Sequence, residues 1–319
     1  MGESTLHPDF VKLWNRLTDI DNVELSLTSN GVLLDKILDA MYMDSLKNII
    51  ISVDGGNREA HNAMRGRGTF ERTMRAVKKI DSLKREDDDF YLQLNTVITK
   101  LNVNSLRELP NLFEELEGKN IILNLFKLST DSGNARRYRE RLECSLEEIK
   151  EELGHILRSL REVNERRRQH GRVPLKLRLE LFTLKEQLLL LKNYSGTLQY
   201  SDILFELSSG QGKSCGAYTL KRIFVNPHGY VFPCFNFADP EMKSVFIQYA
   251  GSLKPPSFVE DDFLTLDDIL KTPFFQRARE WIGTLYPKLF CASCKLRDSC
   301  TVCPVYAYLR GVPNACKEG

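Results

Sequence analysis

The stretch that decides the fold is Asn48-Ile49-Ile50-Ile51-Ser52-Val53-Asp54-Gly55-Gly56. Its β-branched run predicts a buried strand, and the Asp-Gly-Gly that follows predicts a turn. Similar strand-like runs occur on both sides of it, at residues 23–27, 90–98 and 120–128. We therefore expect four strands in residues 1–130.

Helical periodicity fills the gaps between these strands, over residues 33–44, 70–84 and 105–117. The third helical segment begins with a predicted capping box, formed by Ser105 and Glu108. Strands that alternate with single helices cannot form hairpins, so they must pair in parallel through crossovers. The sequence therefore predicts an α/β fold with a parallel sheet or barrel.

Parallel sheets and barrels bind their ligands at the carboxyl ends of the strands. Functional side chains are therefore expected in the segments that follow the predicted strands. The candidates are Ser29, Asn30, Asp54, Gly55, Gly56 and residues 96–99.

The composition excludes several classes of protein. The 319 residues include 45 Lys plus Arg and 43 Asp plus Glu, for a net charge of +2, and 42% are hydrophobic. This balance excludes a disordered tail and a polycationic nucleic-acid binder. The most apolar stretch, Leu184 to Leu191, is interrupted by charged residues and is far shorter than the ~18 residues of a membrane span. With no recognisable secretory signal either, we expect a cytoplasmic protein with no membrane or nucleic-acid partner.

Residues 136–170 change character and predict a long amphipathic helix. A second capping box, Ser145 with Glu148, lies at its start, and Arg166-Arg167-Arg168 lies near its end. The arginine run has two interpretations, a nucleic-acid or acidic-peptide contact or a solvated helix face, and the interleaved acidic residues favour the solvated face. The apolar segment 175–191 is expected to pack beside this helix. Residues 208–212 predict a flexible joint before a second domain.

The eight cysteines have an unusual distribution. Cys144 stands alone and is expected to be a small buried residue. The others fall in the last third of the chain, at Cys215, Cys234, Cys291, Cys294, Cys300, Cys303 and Cys316. An odd set without an export signal favours metal ligation over disulfides, and two Cys-x2-Cys pairs are a strong metal signal. Residues 221–233 predict a β-hairpin that brings Cys215 and Cys234 together.

Two metal centres are compatible with this spacing. Zinc would need four ligands in each site, which seven cysteines and His228 could supply. Iron–sulfur clusters tolerate a missing protein ligand, and Cys303-Pro304 is similar to the end of ferredoxin ligand runs. Spacing favours iron–sulfur over zinc without excluding zinc.

These cysteines, with the hairpin between the first two, resemble the SPASM domain that follows the catalytic barrel of many radical S-adenosylmethionine enzymes. The first part of the chain resembles the same family independently. Gly2-Glu3 is similar to the segment whose carboxylate holds the methionyl amine of the cofactor, and Ser52 and Asp54 are similar to residues that approach its ribose. His61, Arg65-Gly66 and Thr69-Phe70 match the continuation of that motif, in which the arginine faces the cofactor carboxylate.

The resemblance implies two auxiliary [4Fe–4S] clusters. It assigns Cys291, Cys294, Cys300 and Cys316 to one cluster and Cys215, Cys234 and Cys303 to the other, whose fourth ligand it does not identify. It also implies S-adenosylmethionine as cofactor, bound by Glu3, Ser52, Asp54 and Arg65.

One departure from the family is important. The family holds its radical-generating cluster with Cys-x3-Cys-x2-Cys upstream of the segment similar to Gly2-Glu3, and this chain begins inside that segment. We therefore expect an N-terminally truncated enzyme, inactive in radical generation as it stands. The radical-generating [4Fe–4S] cluster would be present only in a longer chain. A natural variant that kept the barrel for binding only is the alternative.

The expected organisation is a partial radical S-adenosylmethionine (β/α) barrel over residues 1–135 that lacks its first strands. A helical linker over 136–207 and a small cysteine-rich α+β SPASM-type cluster-binding domain over 208–319 follow. The expected function is that of an iron–sulfur oxidoreductase or maturase. In its full-length form it would act through a 5′-deoxyadenosyl radical on a peptide or protein substrate, with a flavodoxin or ferredoxin as reductant.

The alternatives are a zinc-stabilised binding module and an iron–sulfur electron carrier. Metal analysis separates the zinc module from the other two. Expressed anaerobically, the chain should carry about eight irons and eight acid-labile sulfides, because two [4Fe–4S] clusters contain that number. Zinc without sulfide would contradict this expectation.

Overall fold

The computed structural model describes residues 2–84, 86–128, 138–180, 189–190, 203–204, 223–226, 230–234, 237, 246, 254–257 and 266–288. The chain divides into two units, Met1–Phe205 and Glu206–Gly319. The predicted joint at residues 208–212 lies outside the described residues.

Helices and strands alternate along the first unit. Its described elements are α1 (Phe10–Thr18), β1 (Leu25–Ser29), α2 (Leu34–Ile37), β2 (Leu46–Ser52), α3 (Arg58–Arg65), α4 (Thr69–Lys84), β3 (Tyr91–Ile98), α5 (Leu109–Leu112), β4 (Ile121–Lys127), α6 (Arg139–Leu142), α7 (Leu146–Gln169), β5 (Lys176–Glu180) and β6 (Ile203–Leu204). Three 3-10 turns lie among them, at Ser4–Leu6, Leu38–Ala40 and Val103–Glu108.

All six strands form one parallel sheet in the order β1-β2-β3-β4-β5-β6. Each strand therefore pairs with the next strand along the chain, as in a (β/α) barrel. No pairing joins β6 to β1 among the described residues. The predicted α/β class with a parallel sheet is confirmed, and the four predicted strands correspond to β1 to β4 with ends shifted by a few residues.

The two faces of the sheet differ because side chains alternate along each strand. In β3 every second residue is buried, from Leu92 through Leu94 and Thr96 to Ile98. This apolar face packs against the helices, including Ile80 of α4 and Leu157 of α7. The opposite face is largely polar and partly exposed.

Helix prediction over residues 105–117 was wrong in its details. The segment forms the 3-10 turn Val103–Glu108 followed by the short α5, and Ser105 does not cap a helix. The Ser105 hydroxyl instead donates to the Asn102 carbonyl at 2.8 Å and accepts from the Gly56 amide at 3.2 Å. The Ser105 hydroxyl therefore binds a loop that is distant in sequence, and not the start of a helix as the local pattern predicted.

The long helix α7 confirms the other capping box. The Ser145 hydroxyl accepts from the Glu148 amide at 3.1 Å, and the Glu148 carboxylate accepts from the Ser145 amide at 2.7 Å. The apolar segment predicted to pack beside α7 begins with β5, and the Asn164 side chain bonds both the amide and the carbonyl of Leu175 just before that strand.

The solvated interpretation of the arginine run was wrong for Arg167. This side chain is completely buried and donates to the backbone carbonyls of Phe113, Glu114, Leu116 and Val173 at 2.7–3.1 Å. Burial and nearby Arg172 lower its pKa to about 10, which leaves it charged at neutral pH. Its role is structural, because it satisfies carbonyls that would otherwise be buried without a partner.

Cys144 confirms its predicted role as a small buried residue. It belongs to the apolar core of the first unit and is 6% exposed. Burial raises the pKa of its thiol to about 11, so the thiolate is scarce at neutral pH.

In the second unit the described elements are β7 (Phe224–Val225), β8 (Val231–Phe232), α8 (Leu266–Leu270) and α9 (Pro273–Lys288). Strands β7 and β8 pair antiparallel, which confirms the predicted hairpin. The aromatic side chains of Phe237, Phe246, Phe274 and Trp281 pack together with ring centres 5.2–5.9 Å apart. Across the described parts of both units, no helix is long and apolar enough to cross a membrane.

Candidate functional site

Glu3 lies at the carboxyl edge of the sheet, beside the end of β1. Its Oε1 atom accepts from the Ser29 hydroxyl at 2.9 Å and from the Thr5 hydroxyl at 2.6 Å. Its Oε2 atom accepts from the Asn30 amide at 2.8 Å. These contacts bring together Glu3 and two of the residues that the sequence singled out after the first strand.

The same contacts determine the charge of Glu3. Partial burial alone would raise the pKa of the carboxyl, but the hydrogen bonds from Thr5, Asn30 and Ser29 outweigh it and lower the pKa below its ordinary value. Glu3 is therefore ionised at neutral pH. Its Oε2 atom has one hydrogen bond within the described residues, so it can accept another from a ligand cation.

Asp54 lies in the loop after β2, the strand next to β1, and is 2% exposed. Its Oδ1 atom accepts from the Val97 amide at 2.8 Å, and its Oδ2 atom forms an ion pair with Arg65 Nε. The Asp54 amide donates to His61 Nδ1 at 3.3 Å, and its carbonyl accepts from the Asn102 side chain at 2.9 Å. Asp54 thus connects the end of β2 to β3, to α3 and to the turn after β3.

The motif formed by His61, Arg65-Gly66 and Phe70 surrounds Asp54. His61 is buried, and the Phe70 ring packs edge-on against it with centres 5.6 Å apart. Burial lowers the pKa of His61 more than the Asp54 charge raises it, which keeps the ring neutral at pH 7. Gly66 ends α3 with φ at +102°, a conformation that favours glycine.

Ser52 is the last residue of β2 and pairs in register with Asn95 of β3. Its side chain is half-buried on the polar face of the sheet, and its hydroxyl has no hydrogen-bond partner in the part of the chain that the structure describes. Since Ser29 ends β1, the structure places Glu3, Ser52, Asp54 and Arg65 at the same edge of two neighbouring strands.

A row of hydrogen-bonded polar side chains crosses this face of the sheet. One residue from each of β1 to β5 contributes: Ser26, Asn48, Gln93, Asn124 and Arg178. Arg178 can only donate, so Gln93 Oε1 accepts from both Arg178 and Asn124. Asn124 is completely buried, and its Oδ1 atom has no partner among the described residues. A buried acceptor of this kind is stabilised when a water or ligand donates to it.

The predicted metal ligands can be placed only in part. Cys234 is half-buried and follows β8, where the Phe237 amide donates to its carbonyl at 3.1 Å. Cys215, Cys291, Cys294, Cys300, Cys303 and Cys316 lie outside the described residues. Within the described ranges, no three His, Cys, Asp or Glu side chains converge as metal ligands. The cysteine assignments therefore stay predictions.

Two contributors to the site were missed from the sequence. Asn102 binds the carbonyls of both Asp54 and Val97, and nothing in its local sequence indicates this role. The polar row had a detectable signal, because Gln93 and Asn95 alternate with Leu92 and Leu94. That alternation predicts a strand with one apolar and one polar face.

Comparisons with known proteins found similar sequences and a similar fold. Residues 1–116 match the family model of the radical SAM superfamily. The AdoMet-dependent heme synthase of Methanosarcina barkeri is 30% identical over 117 residues, which are 36% of this chain and 32% of that protein. The mycofactocin maturase MftC of Mycolicibacterium smegmatis is 29% identical over 108 residues, 34% of this chain and 26% of that protein. The chain thus spans about a third or less of these curated relatives.

A solved structure extends the likeness in fold over the chain. SuiB of Streptococcus suis, in a crystal structure bound to S-adenosylmethionine, aligns with a TM-score of 0.61 at 17% sequence identity. The alignment covers 99% of this chain and 64% of that one. At this identity the likeness concerns the fold. The similarity in sequence to the radical SAM superfamily thus rests on the family model over residues 1–116 and on relatives that match about a third of the chain.

Proposed function

We propose that the first unit binds S-adenosylmethionine at the carboxyl edge of β1 and β2. The observation that carries this proposal is the ionised Glu3 carboxylate, fastened to Ser29 and Asn30 beside the strand that ends in Ser52 and leads to Arg65. The superfamily implies this cofactor and a [4Fe–4S] cluster.

The chemistry of these side chains fits the cofactor. The molecule carries an ammonium group, a carboxylate and a ribose diol. Glu3 supplies an anion for the ammonium group, Arg65 a guanidinium for the carboxylate, and Ser52 a hydroxyl for the ribose. Asp54 joins this set through its ion pair with Arg65. When bound with a reducing cluster, the cofactor supplies radical chemistry, and the residues of this chain bind and orient it.

We further propose a peptide or protein substrate, as for a maturase. Two observations support it: the similarity to a mycofactocin maturase, and the polar row across the sheet, which offers amide groups that suit a peptide. The similarity to a heme synthase is of about the same extent, 117 residues against 108, so the cofactor assignment is the better supported of the two. The partial-barrel organisation, a cytoplasmic location and a flavodoxin or ferredoxin reductant belong to the same proposal.

For the second unit we propose two auxiliary [4Fe–4S] clusters in a SPASM-type domain. The support is the spacing of the seven cysteines and the hairpin of β7 and β8, which ends beside Cys234. The clusters would accept or relay an electron, tuned by hydrogen bonds and burial around the thiolates.

Binding of S-adenosylmethionine tests the cofactor assignment directly. We expect the full chain, prepared anaerobically, to bind the cofactor saturably by calorimetry. Glu3→Gln should weaken binding about tenfold or more, because it removes a charge-assisted hydrogen bond to the ammonium group.

Glu59→Gln provides the matched control. Glu59 is an exposed glutamate in α3, so the substitution makes the same charge change nearby and should leave the affinity unchanged. Absence of binding to the wild-type chain, or equal effects of the two substitutions, would refute the assignment.

A further inference from the structure

The Asp54 carboxylate has a hydrogen-bonding or ionic partner at each oxygen within the protein. One oxygen accepts from the Val97 amide, the other pairs with Arg65, and the residue is 2% exposed. Its backbone is also held, by His61 on the amide side and Asn102 on the carbonyl side. A carboxylate with both oxygens engaged, on a residue that contacts three segments, is well suited to orient a neighbour and less suited to receive a ribose hydroxyl.

Arg65 is the residue that Asp54 holds. The arginine is the last residue of α3, and its side chain is 33% exposed. Its Nε atom is engaged by Asp54, whereas Nη1 and Nη2 have no acceptor in the part of the chain that the structure describes. These two nitrogens form a planar fork that matches a carboxylate in a bidentate arrangement.

We propose that Asp54 is a positioning residue that holds the Arg65 guanidinium ready for the carboxylate of the cofactor. This inference rests on the proposed binding of S-adenosylmethionine and replaces a direct contact between Asp54 and the ribose. A guanidinium that is already ordered loses less side-chain entropy when its ligand binds, so the pairing with Asp54 favours affinity.

Charge works in the opposite direction. The Asp54 carboxylate repels another carboxylate, while the charge of Arg65 offsets this repulsion and His61 is neutral beside them. The balance between orientation and repulsion can be measured. If orientation dominates, loss of Asp54 weakens binding of the carboxylate, and if repulsion dominates, it strengthens binding.

The test compares S-adenosylmethionine with decarboxylated S-adenosylmethionine, which lacks only the carboxylate. We expect Asp54→Asn and Arg65→Gln each to weaken S-adenosylmethionine binding about tenfold and to leave the decarboxylated form within about twofold. The Asp54→Asn substitution keeps a carbonyl oxygen that can accept from the Val97 amide. The double variant should be no weaker than either single variant, because both remove the same interaction. Ser52→Ala should weaken both ligands equally.

Several results would overturn the inference. Equal weakening of both ligands by Asp54→Asn would indicate a direct contact with the ribose, and tighter binding would indicate that repulsion dominates. Arg65→Lys leaves Asp54 intact and covers the case in which Asp54→Asn does not fold. Lysine keeps the positive charge but lacks the planar fork. If this variant still prefers S-adenosylmethionine over the decarboxylated form by the wild-type ratio of affinities, the inference is also refuted. If the wild-type chain binds neither ligand, the proposed function itself fails.

Discussion

Replacing Arg167 by Met should lower the free energy of unfolding by about 3–5 kcal/mol. The side chain is fully buried and donates to four backbone carbonyls, all of which belong to segments outside α7. Methionine fills a similar volume, so the loss would come from carbonyls left without donors rather than from a cavity. Urea denaturation of the full chain measures the change.

Exchange of a buried ion pair for apolar residues is often neutral, and Arg167 differs from that case. Its partners are main-chain carbonyls that no substitution removes. Arg161→Met is the control, because Arg161 lies on the exposed side of the same helix and pairs with Glu165 at 3.0 Å. It should cost no more than about 0.5 kcal/mol. A similar small loss for Arg167→Met would mean that water can replace the guanidinium at these carbonyls.

Arg167 also illustrates where sequence-based prediction stops. Its neighbours in sequence are charged, so local composition predicts a solvated face, yet the four carbonyls lie on a turn more than fifty residues upstream and in the connection after α7. The two capping boxes make the same point. Ser145 caps α7 as predicted, whereas the hydroxyl of Ser105 is taken by Gly56, 49 residues away. The local pattern cannot distinguish the two.

Predictions of the strands were reliable, because burial of one face enforces them, whereas helical periodicity over residues 105–117 did not give a continuous α-helix. Residues 48–52 of the β-branched run lie in β2, which ends at Ser52, and the parallel order of β1 to β4 follows from the alternation with helices. Ser29, Asn30 and Asp54 lie at the carboxyl edge of this sheet, as their positions after the predicted strands indicated. The contacts of Glu3 with Ser29 and of Asp54 with Val97 join residues 26 and 43 positions apart, so spacing alone did not reveal them.

The residues of the candidate site fall into two groups, those that can contact a ligand and those that hold the loop after β2. Side chains of Glu3, Ser52 and Arg65 remain available to a ligand, and a set of contacts behind them holds the loop after β2. In that second group Thr96 donates to the Val53 carbonyl at 2.5 Å, and Asn102 binds the Asp54 carbonyl. Gly56 permits close packing of this loop against the turn after β3, and Gly55 permits close packing against α3.

Gly56→Ala should disrupt this packing, because a methyl group at this position has no room. A Cβ atom at Gly56 would lie 1.9 Å from the Ser105 carbonyl oxygen and 3.0 Å from the Leu109 amide nitrogen. Both are backbone atoms, and the Arg107–Glu152 ion pair anchors their turn to α7. We expect a loss of about 3 kcal/mol in the free energy of unfolding, together with at least tenfold weaker S-adenosylmethionine binding, because Asp54 must move with the loop.

Gly68→Ala separates crowding from backbone strain. Gly68 has φ at +77° and open space around the position of a Cβ atom, so alanine there meets strain of about 1–2 kcal/mol but no clash. It should therefore destabilise less than Gly56→Ala and leave cofactor affinity within about twofold. If the two variants have the same free energy of unfolding and the same affinity for S-adenosylmethionine, the loop after β2 can relax away from Ser105. In that case the close approach of Gly56 is not what holds Asp54 and Arg65 in place.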